Sequence, residues 1–252
     1  YGGLDNSGSQ DGYILIHGNA NGYGKIHANY GYNTANSVMT FGIADNTLIT
    51  FNGSGNIAAT TYNGIPFYTD AASNSMYTHD VSGTDDTASS NTAYGFGSLA
   101  SITTGDNNVA VGRNAGTNLA GGGYNALFGS FSGDALTTGS GNTALGYGSL
   151  SSEDGNGKNV AIGYHALVTQ NAGAEAYNVA VGYSAGEAIT TGLYNTAIGC
   201  DALKTNVDGD KNTAIGFRAL KNFEADTDGH GNNVAVGANA GENISTGTSN
   251  VA

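Results

Sequence analysis

The sequence has little of several residue types on which other classes of protein depend. Its 252 residues include one cysteine, one proline and no tryptophan. A single cysteine excludes an intrachain disulfide framework and a cysteine-rich metal site. No stretch approaches 18 consecutive apolar residues, so no segment has the length and hydrophobicity of a membrane-spanning helix.

Positive charge is scarce as well. Seven lysines and arginines are set against 20 aspartates and glutamates, which gives a net charge of -13. This acidic balance argues against nucleic acid and anionic membrane surfaces as partners. Only 11% of residues are charged, but the apolar share of 39% and the near absence of proline argue against disorder. Forty-two glycines with almost no proline are typical of a fold with many tight turns.

The sequence is rich in one internal repeat. NTAIGCDAL at 195–203 returns as NTAIGFRAL at 212–220. Most units open with Asn, followed by Thr or Val, then Ala, then an aliphatic or aromatic residue, then Gly. The unit at Asn125 departs, with Leu127 in its third position. The opening residues are Asn91, Asn108, Asn125, Asn142, Asn159, Asn178, Asn195, Asn212, Asn233 and Asn250. Seven of the nine intervals are 17 residues and the others are 19 and 21, which gives nine whole units and the start of a tenth.

The repeat predicts an all-β fold, a parallel β-solenoid or β-roll with one coil per unit. Thr or Val, Ala and then Ile or Val form a short run whose side chains alternate between two faces, and Gly ends it. A second short run centred on Ala or Ser follows, so we expect two short strands and two turns in each coil. Coils stacked at about 4.8 Å would make a rod of roughly 40 Å. We expect the Asn residues to form a hydrogen-bonded ladder at one turn.

An exchange within the repeat predicts a constant cross-section. In five units Leu follows the Ala or Ser of the second run, and in four units Gly takes its place. The units with Gly have an aliphatic residue three positions later, namely Leu119, Leu136, Ile189 and Ile244. Because an unfilled leucine-sized hole costs about 2–5 kcal/mol, we expect these residues to fill the space that the missing Leu leaves.

The region before the repeat also predicts β structure. Short runs at 13–17, 25–30, 37–43, 47–51 and 56–62 are rich in strand-forming residues and are separated by Asn-Gly turn signals. We therefore divide the chain into a shaft-like β region at 1–68, a polar linker or neck at 69–90 and the solenoid at 91–252. The sequence ends a few residues into a further repeat, and we expect it to be part of a longer chain.

The units of the form NTAIGYxAL…TTG resemble repeats in the long tail-fibre proteins of bacteriophages. The segment LITFNGSGNIAATTYNGIPF at 48–67 is similar to the shaft sequence of such fibres. The NVAVG and NTAIG units are also similar to the head repeats of trimeric autotransporter adhesins, which are trimeric left-handed β-rolls.

This resemblance implies a homotrimer in a virion tail, outside the cell, that mediates attachment to the host surface. The implied partners are other virion tail proteins and a host cell-surface glycan or protein receptor. The Ala and Ser columns are expected to allow the close approach of neighbouring chains. Two alternatives remain open, a bacterial cell-surface adhesin head and a tailspike that depolymerises polysaccharide.

Two acidic turns are the candidate metal sites. Alternate carboxylates in a glycine-containing loop can bind Ca²⁺. The candidates are Asp208, Asp210, Asp226 and Asp228. The glutamate that closes a full Ca²⁺-loop pattern is missing, so solvated turns are favoured, and no other metal and no cofactor is predicted.

One aromatic column is the candidate binding site. Tyr147, Tyr164 and Tyr183 follow the repeat Gly in their units, and they predict either a stacked ladder between coils or a strip on which glycans stack. Glycosidase chemistry needs two carboxylates about 5–10 Å apart at a sugar cleft. Glu153 and Glu175 lie in turns without a recognisable aromatic groove, so no catalytic residue and no enzymatic activity are predicted.

Overall fold

The structure is a computed structural model that describes strands between residues 13 and 70, and then residues 75–77, 87–225 and 230–252. The chain divides into two compact units, Tyr1–Pro66 and Phe67–Ala252.

The strands of the first unit pair in antiparallel fashion. They are β1 (Tyr13–Gly18), β2 (Gly24–Asn29), β3 (Met39–Ile43), β4 (Asn46–Phe51), β5 (Ile57–Ala58), β6 (Thr61–Tyr62) and β7 (Ile65–Pro66). β1 pairs with β2, β4 pairs with both β3 and β5, and β6 pairs with β7. The five strands predicted from the sequence are confirmed, except that the run at 56–62 is divided between β5 and β6.

The described strands of the second unit form one continuous sheet. They are β8 (Tyr68–Asp70), β9 (Ser75–Tyr77), β10 (Thr92–Tyr94), β11 (Val109–Val111), β12 (Ala126–Phe128), β13 (Thr143–Leu145), β14 (Val160–Ile162), β15 (Val179–Val181), β16 (Thr196–Ile198), β17 (Thr213–Ile215) and β18 (Val234–Val236). β8 is antiparallel to β9, and β9 is parallel to β10. From β10 to β18 each strand is parallel to the next, so the predicted solenoid of about 17-residue coils is confirmed.

The strands lie in register with the repeat. Ile162 is paired with Val181, and Val181 with Ile198, so equivalent residues of successive units form straight columns along the solenoid. The register holds across the units of 19 and 21 residues, where the extra residues lie outside the strands.

Each described coil contains one strand, and the expected second strand is absent. The second run, at Ser98 and Leu99 in the first coil, lies in a turn. Leu99 has a φ of 51°, and its column is left-handed in each described coil, with φ between 47° and 60°, whether the residue is Leu or Gly. A left-handed residue bends the backbone and cannot extend a strand. The run still stacks on the next coil, because the Leu99 N–H donates to the Ala115 carbonyl at 3.0 Å.

The Gly that ends each strand is required by the stacking. Gly182 has a φ of 142°, and a Cβ atom placed on it would lie 2.5 Å from the carbonyl oxygen of Gly199, the equivalent residue of the next coil. At Gly112 the corresponding distance, to the Gly129 oxygen, is 2.6 Å. A side chain in this column would therefore collide with the backbone of the adjacent coil, except at Gly237, where the nearest atom to an added Cβ lies 3.9 Å away.

Part of the coil interior, between the strand and the second run, holds small side chains. The central Ala of each strand and the Ala or Ser of the second run point inward; Ala93, Ser98, Ala110 and Ala115 are fully buried. Leu127, the departure from the Ala column, has a physical explanation. A Cβ atom at Gly116 or Gly133 would lie 2.7 Å or 2.9 Å from a methyl carbon of Leu127, so this Leu fills the space beside two successive glycine-containing coils.

A further buried column, here called the core column, lies three residues after the Leu or Gly position. Its members are Ile102, Leu119, Leu136, Glu153, Gln170, Ile189, Asn206, Phe223 and Ile244. The aliphatic residues that follow Gly do fill the space beside it, since a Cβ atom at Gly186 would lie 2.9 Å from the Ile189 Cδ1. They are not exchanged for Leu, because Ile102 and Phe223 are buried at the same place in coils that keep Leu. Only the four aliphatic members that follow Gly were predicted from the sequence. The column is filled in every described coil, and three of its members are polar.

The Asn ladder is confirmed. In each step the backbone N–H of one Asn donates to the Oδ1 of the Asn in the preceding coil, at 2.7–3.1 Å, from Asn91 to Asn250. In most coils the Nδ2 donates to a carbonyl 14 residues later in the same coil, for example from Asn195 to Gly209 at 2.8 Å. Each Asn therefore closes its own coil and links that coil to the next.

Candidate functional site

The outward side of the parallel sheet is a largely apolar surface. We call the second and fourth positions of the repeat units, on either side of the inward Ala, the outward face. The second position holds Thr, Val or Ala, and the fourth holds Val, Ile, Leu, Tyr or Phe. Several of the large side chains are well exposed, including Tyr94 and Leu145 at 49% and Val236 at 60%. Within most strands the small Ala points inward and the larger side chains point outward.

The candidate tyrosines are brought together in one stack. The ring centroids of Tyr147 and Tyr164 are 5.5 Å apart with planes at 12°, and those of Tyr164 and Tyr183 are 5.3 Å apart with planes at 6°. The His165 ring lies 4.0 Å from that of Tyr164. A sugar stacked on the face of Tyr164 would have to displace a neighbouring ring. This geometry favours the structural ladder, and glycan stacking stays a prediction for the exposed edges and the two ends of the column.

A second aromatic stack was missed by the sequence analysis. Tyr177 and Tyr194 immediately precede the Asn of their units, and their rings stack at 5.5 Å. The Lys158 Nζ, in the same column, donates to Glu175 at 2.6 Å and to the Tyr177 hydroxyl at 3.2 Å, and that hydroxyl donates to Glu175 at 2.7 Å. The hydrogen bond from Lys158 lowers the pKa of Glu175. The sequence signal that could have revealed this cluster is the position just before the repeat Asn, which holds Lys158, Tyr177 and Tyr194 in successive units.

The acidic turns give no assembled Ca²⁺ site in the described residues. Asp210 is used structurally, because its Oδ1 accepts the Leu193 N–H of the preceding coil at 2.7 Å. Asp208 is partly buried and lies near Glu224, whose pKa is raised first by burial and further by Asp208. Asp226 and Asp228 lie outside the described residues. Across the described ranges, no three His, Cys, Asp or Glu side chains come together as metal ligands.

The two glutamates considered for glycosidase chemistry are in different environments. Glu153 is fully buried in the core column. Glu175 is half exposed and paired with Lys158. A glycosidase pair must share a cleft on either side of the scissile bond, and a carboxyl group with no exposed surface does not meet that requirement.

The described surface also carries a network of charges. Lys204 lies 3.0 Å from Asp201 and 3.2 Å from Glu187, and Lys221 lies 3.9 Å from Asp201. Arg218 extends the network to Glu242 in the next coil at 3.8 Å. Three of the seven positively charged residues of the chain are thus placed among carboxylates, so this region does not form a basic patch.

Comparisons with known proteins gave no match to a family model, a curated protein or a solved structure. No helix in the described parts of the chain has the length and apolar character needed to cross a bilayer. The geometry described above identifies a β-solenoid repeat protein with a hydrogen-bonded Asn ladder, an apolar outward face and a stacked tyrosine column.

Proposed function

We propose that this chain is a structural segment of a bacteriophage tail fibre, located outside the cell, that extends the fibre and helps attach the virion to its host. The observation that carries the proposal is the parallel ladder from β10 to β18, in which each described strand pairs in register with the next. At about 4.8 Å per strand, the ladder extends over roughly 40 Å.

The coils are joined on several sides, which suits a rod that bears load. Successive coils are linked by strand bonds such as Thr92 N–H to Asn108 O at 2.8 Å, and by the turn bond from Leu99. On another side the Thr103 N–H donates to the Ala120 carbonyl at 3.0 Å. A force along the solenoid is therefore shared among several hydrogen bonds at every interface between coils.

The proposed assembly is a homotrimer that packs through the outward face. The expectation that the Ala and Ser columns face neighbouring chains is wrong, because both columns point into the chain's own coil. The apolar outward face replaces them as the proposed contact. Nine strands of three residues make a face of about 43 Å by 10 Å, and a continuous apolar patch of several hundred Å² often marks an interaction site.

The assembly is tested by measuring mass in solution. Three chains of 25.2 kDa give a trimer of about 76 kDa, which light scattering after size exclusion would detect. Val181→Lys places a charge on the half-buried outward face and is expected to shift the protein toward the monomer. Thr191→Lys, at an exposed turn of the same unit, is the control and should leave the trimer intact. A wild-type monomer at micromolar concentration would contradict the assembly.

The fibre role is tested by locating the protein. Gold-labelled antibodies against the chain are expected to bind the tails of virions. Labelling of the bacterial surface instead would favour the adhesin head. Release of reducing sugar from host polysaccharide by the purified chain would favour the depolymerase and refute a purely structural role.

A further inference from the structure

A carboxylic acid occupies the apolar interior of one coil. Glu153 lies in the core column, one coil after Leu136 and one coil before Gln170, and all three residues have no exposed surface. Glutamate is almost never fully buried unless it is paired, because transferring an unpaired charge out of water is very unfavourable.

The two oxygens of Glu153 have unequal surroundings. Oε1 accepts the Asn156 N–H at 3.1 Å, whereas Oε2 is buried and accepts no hydrogen bond. In the next coil the equivalent residue is an amide with both ends satisfied. The Gln170 Oε1 accepts from Asn178 Nδ2 at 2.7 Å, and its Nε2 donates to the Thr190 carbonyl at 2.9 Å. This position of the column therefore suits a side chain that both accepts and donates.

By analogy with Gln170, the acceptor available to Glu153 is inferred from the repeat register. Asn171 and Thr190 directly follow the core-column residues Gln170 and Ile189, so they occupy the same place in successive coils. The Asn171 N–H donates to the Thr190 carbonyl at 3.0 Å. A carboxylate only accepts hydrogen bonds, whereas a neutral carboxylic acid also donates one. A protonated Glu153 would supply toward the equivalent Asn171 carbonyl the donor that Gln170 supplies toward Thr190.

The charges around Glu153 do not favour its ionised form. Leu136 and Gln170, stacked on it from the two adjacent coils, are uncharged. Asp154 is negative, and Lys158, the nearest cation along the chain, is paired with Glu175. Burial raises the pKa of Glu153, and the charge of Asp154 adds a smaller increase. Hydrogen bonds from Asn156 and from the Asp154 backbone act in the opposite direction.

We propose that Glu153 is a pH-sensitive joint in the solenoid. The coil is closed while Glu153 is a neutral acid that donates to the Asn171 carbonyl, and it opens locally when Glu153 ionises. Because the folded pKa lies above the unfolded value, this stabilisation is fully present below the unfolded pKa and is lost as the pH rises through the folded pKa. The joint is a property of the coil and does not depend on the fibre role.

Hydrogen exchange of the full chain, compared with Glu153→Gln, tests the joint. The amides to follow are Thr137 and Leu150, which donate to the carbonyls of Asp154 and Ala166 in the adjacent coils. The two proteins are expected to be protected equally near pH 4. As the pH rises, the wild type should lose protection relative to Glu153→Gln, up to about tenfold for each unit by which folding raises the pKa. Parallel profiles would overturn the proposal.

The matched control reverses the substitution one coil later. Gln170→Glu should introduce the same pH dependence at the Leu167 amide, which donates to Ala185 in the next coil. Carbon NMR of the Glu153 carboxyl in the wild type gives a readout that needs no variant. Its titration is expected above the ordinary value of about 4.3, and titration at that ordinary value would overturn the proposal even if a variant failed to fold.

Discussion

Substitution of one stacked glycine measures how tightly the coils interlock. In Gly182→Ala the new methyl group would lie 2.5 Å from the Gly199 carbonyl oxygen and 2.6 Å from its carbon. Both atoms belong to the backbone, so relief requires the two coils to move apart. Gly182 also has a φ of 142°, which a residue with a side chain adopts only with strain.

The magnitude follows from these two effects. Backbone strain at such a φ costs about 1–3 kcal/mol, and forcing an extra methyl into a filled space costs a further 1–3 kcal/mol or so. The free energy of unfolding should therefore fall by about 2–6 kcal/mol in Gly182→Ala. Gly237 is the matched control, because its φ is 132° but the nearest atom to an added Cβ is 3.9 Å away. Gly237→Ala should show the strain alone, about 1–3 kcal/mol.

Urea denaturation followed by circular dichroism measures both variants, and the free energy of unfolding comes from linear extrapolation. Each variant must first show the wild-type spectrum in buffer. Equal losses in Gly182→Ala and Gly237→Ala would refute the idea that contact between coils, beyond backbone strain, excludes side chains from this column.

Three other predictions concern the Asn ladder, a left-handed turn and the tyrosine stack. Asn195→Ala removes two hydrogen bonds from Asn212 and one to Gly209, so the free energy of unfolding should fall by about 3 kcal/mol. The control Asn243→Ala, at an exposed position, should change the free energy of unfolding by less than about 0.5 kcal/mol. Lys211 has a φ of 55°, so Lys211→Gly should be more stable than Lys211→Ala by about 1 kcal/mol in the same assay; equal stabilities would contradict strain at this turn. Tyr164→Ala loses three stacked ring contacts, with Tyr147, Tyr183 and His165, and should reduce the free energy of unfolding by about 1–3 kcal/mol. Lost binding to host cells by a variant that remains folded would instead support a glycan site.

The features predicted correctly from the sequence are those in which one residue type is dictated by one backbone requirement. The Asn column has one identity because each side chain accepts from the backbone of the next Asn. The Gly column has one identity because the adjacent coil excludes a Cβ atom. Columns of this kind repeat visibly in a single sequence, and the interval between their members gives the coil length directly.

Other features could not be predicted because unlike residues occupy equivalent positions. Polar residues of the core column, namely Glu153, Gln170 and Asn206, look like turn residues in the sequence. Their spacing nevertheless fits the column, because the intervals of 17 and 36 residues correspond to one coil and two coils. The missing second strand depends on left-handed φ values at Leu residues such as Leu99, and Leu does not ordinarily indicate such a turn. The alternation of side chains in the first run, Thr or Val, then Ala, then Ile or Val, shows that the strand has two faces. It does not show that the Ala side chain points into the coil.

The register between coils has a consequence for how such a chain can change over generations. Each coil offers the next coil nearly the same edge that it receives from the coil before, from Thr92 paired with Val109 to Thr213 paired with Val234. Duplication or deletion of one whole unit in the gene would therefore join two compatible edges. The length of the rod could vary in steps of about 4.8 Å without the invention of any new packing.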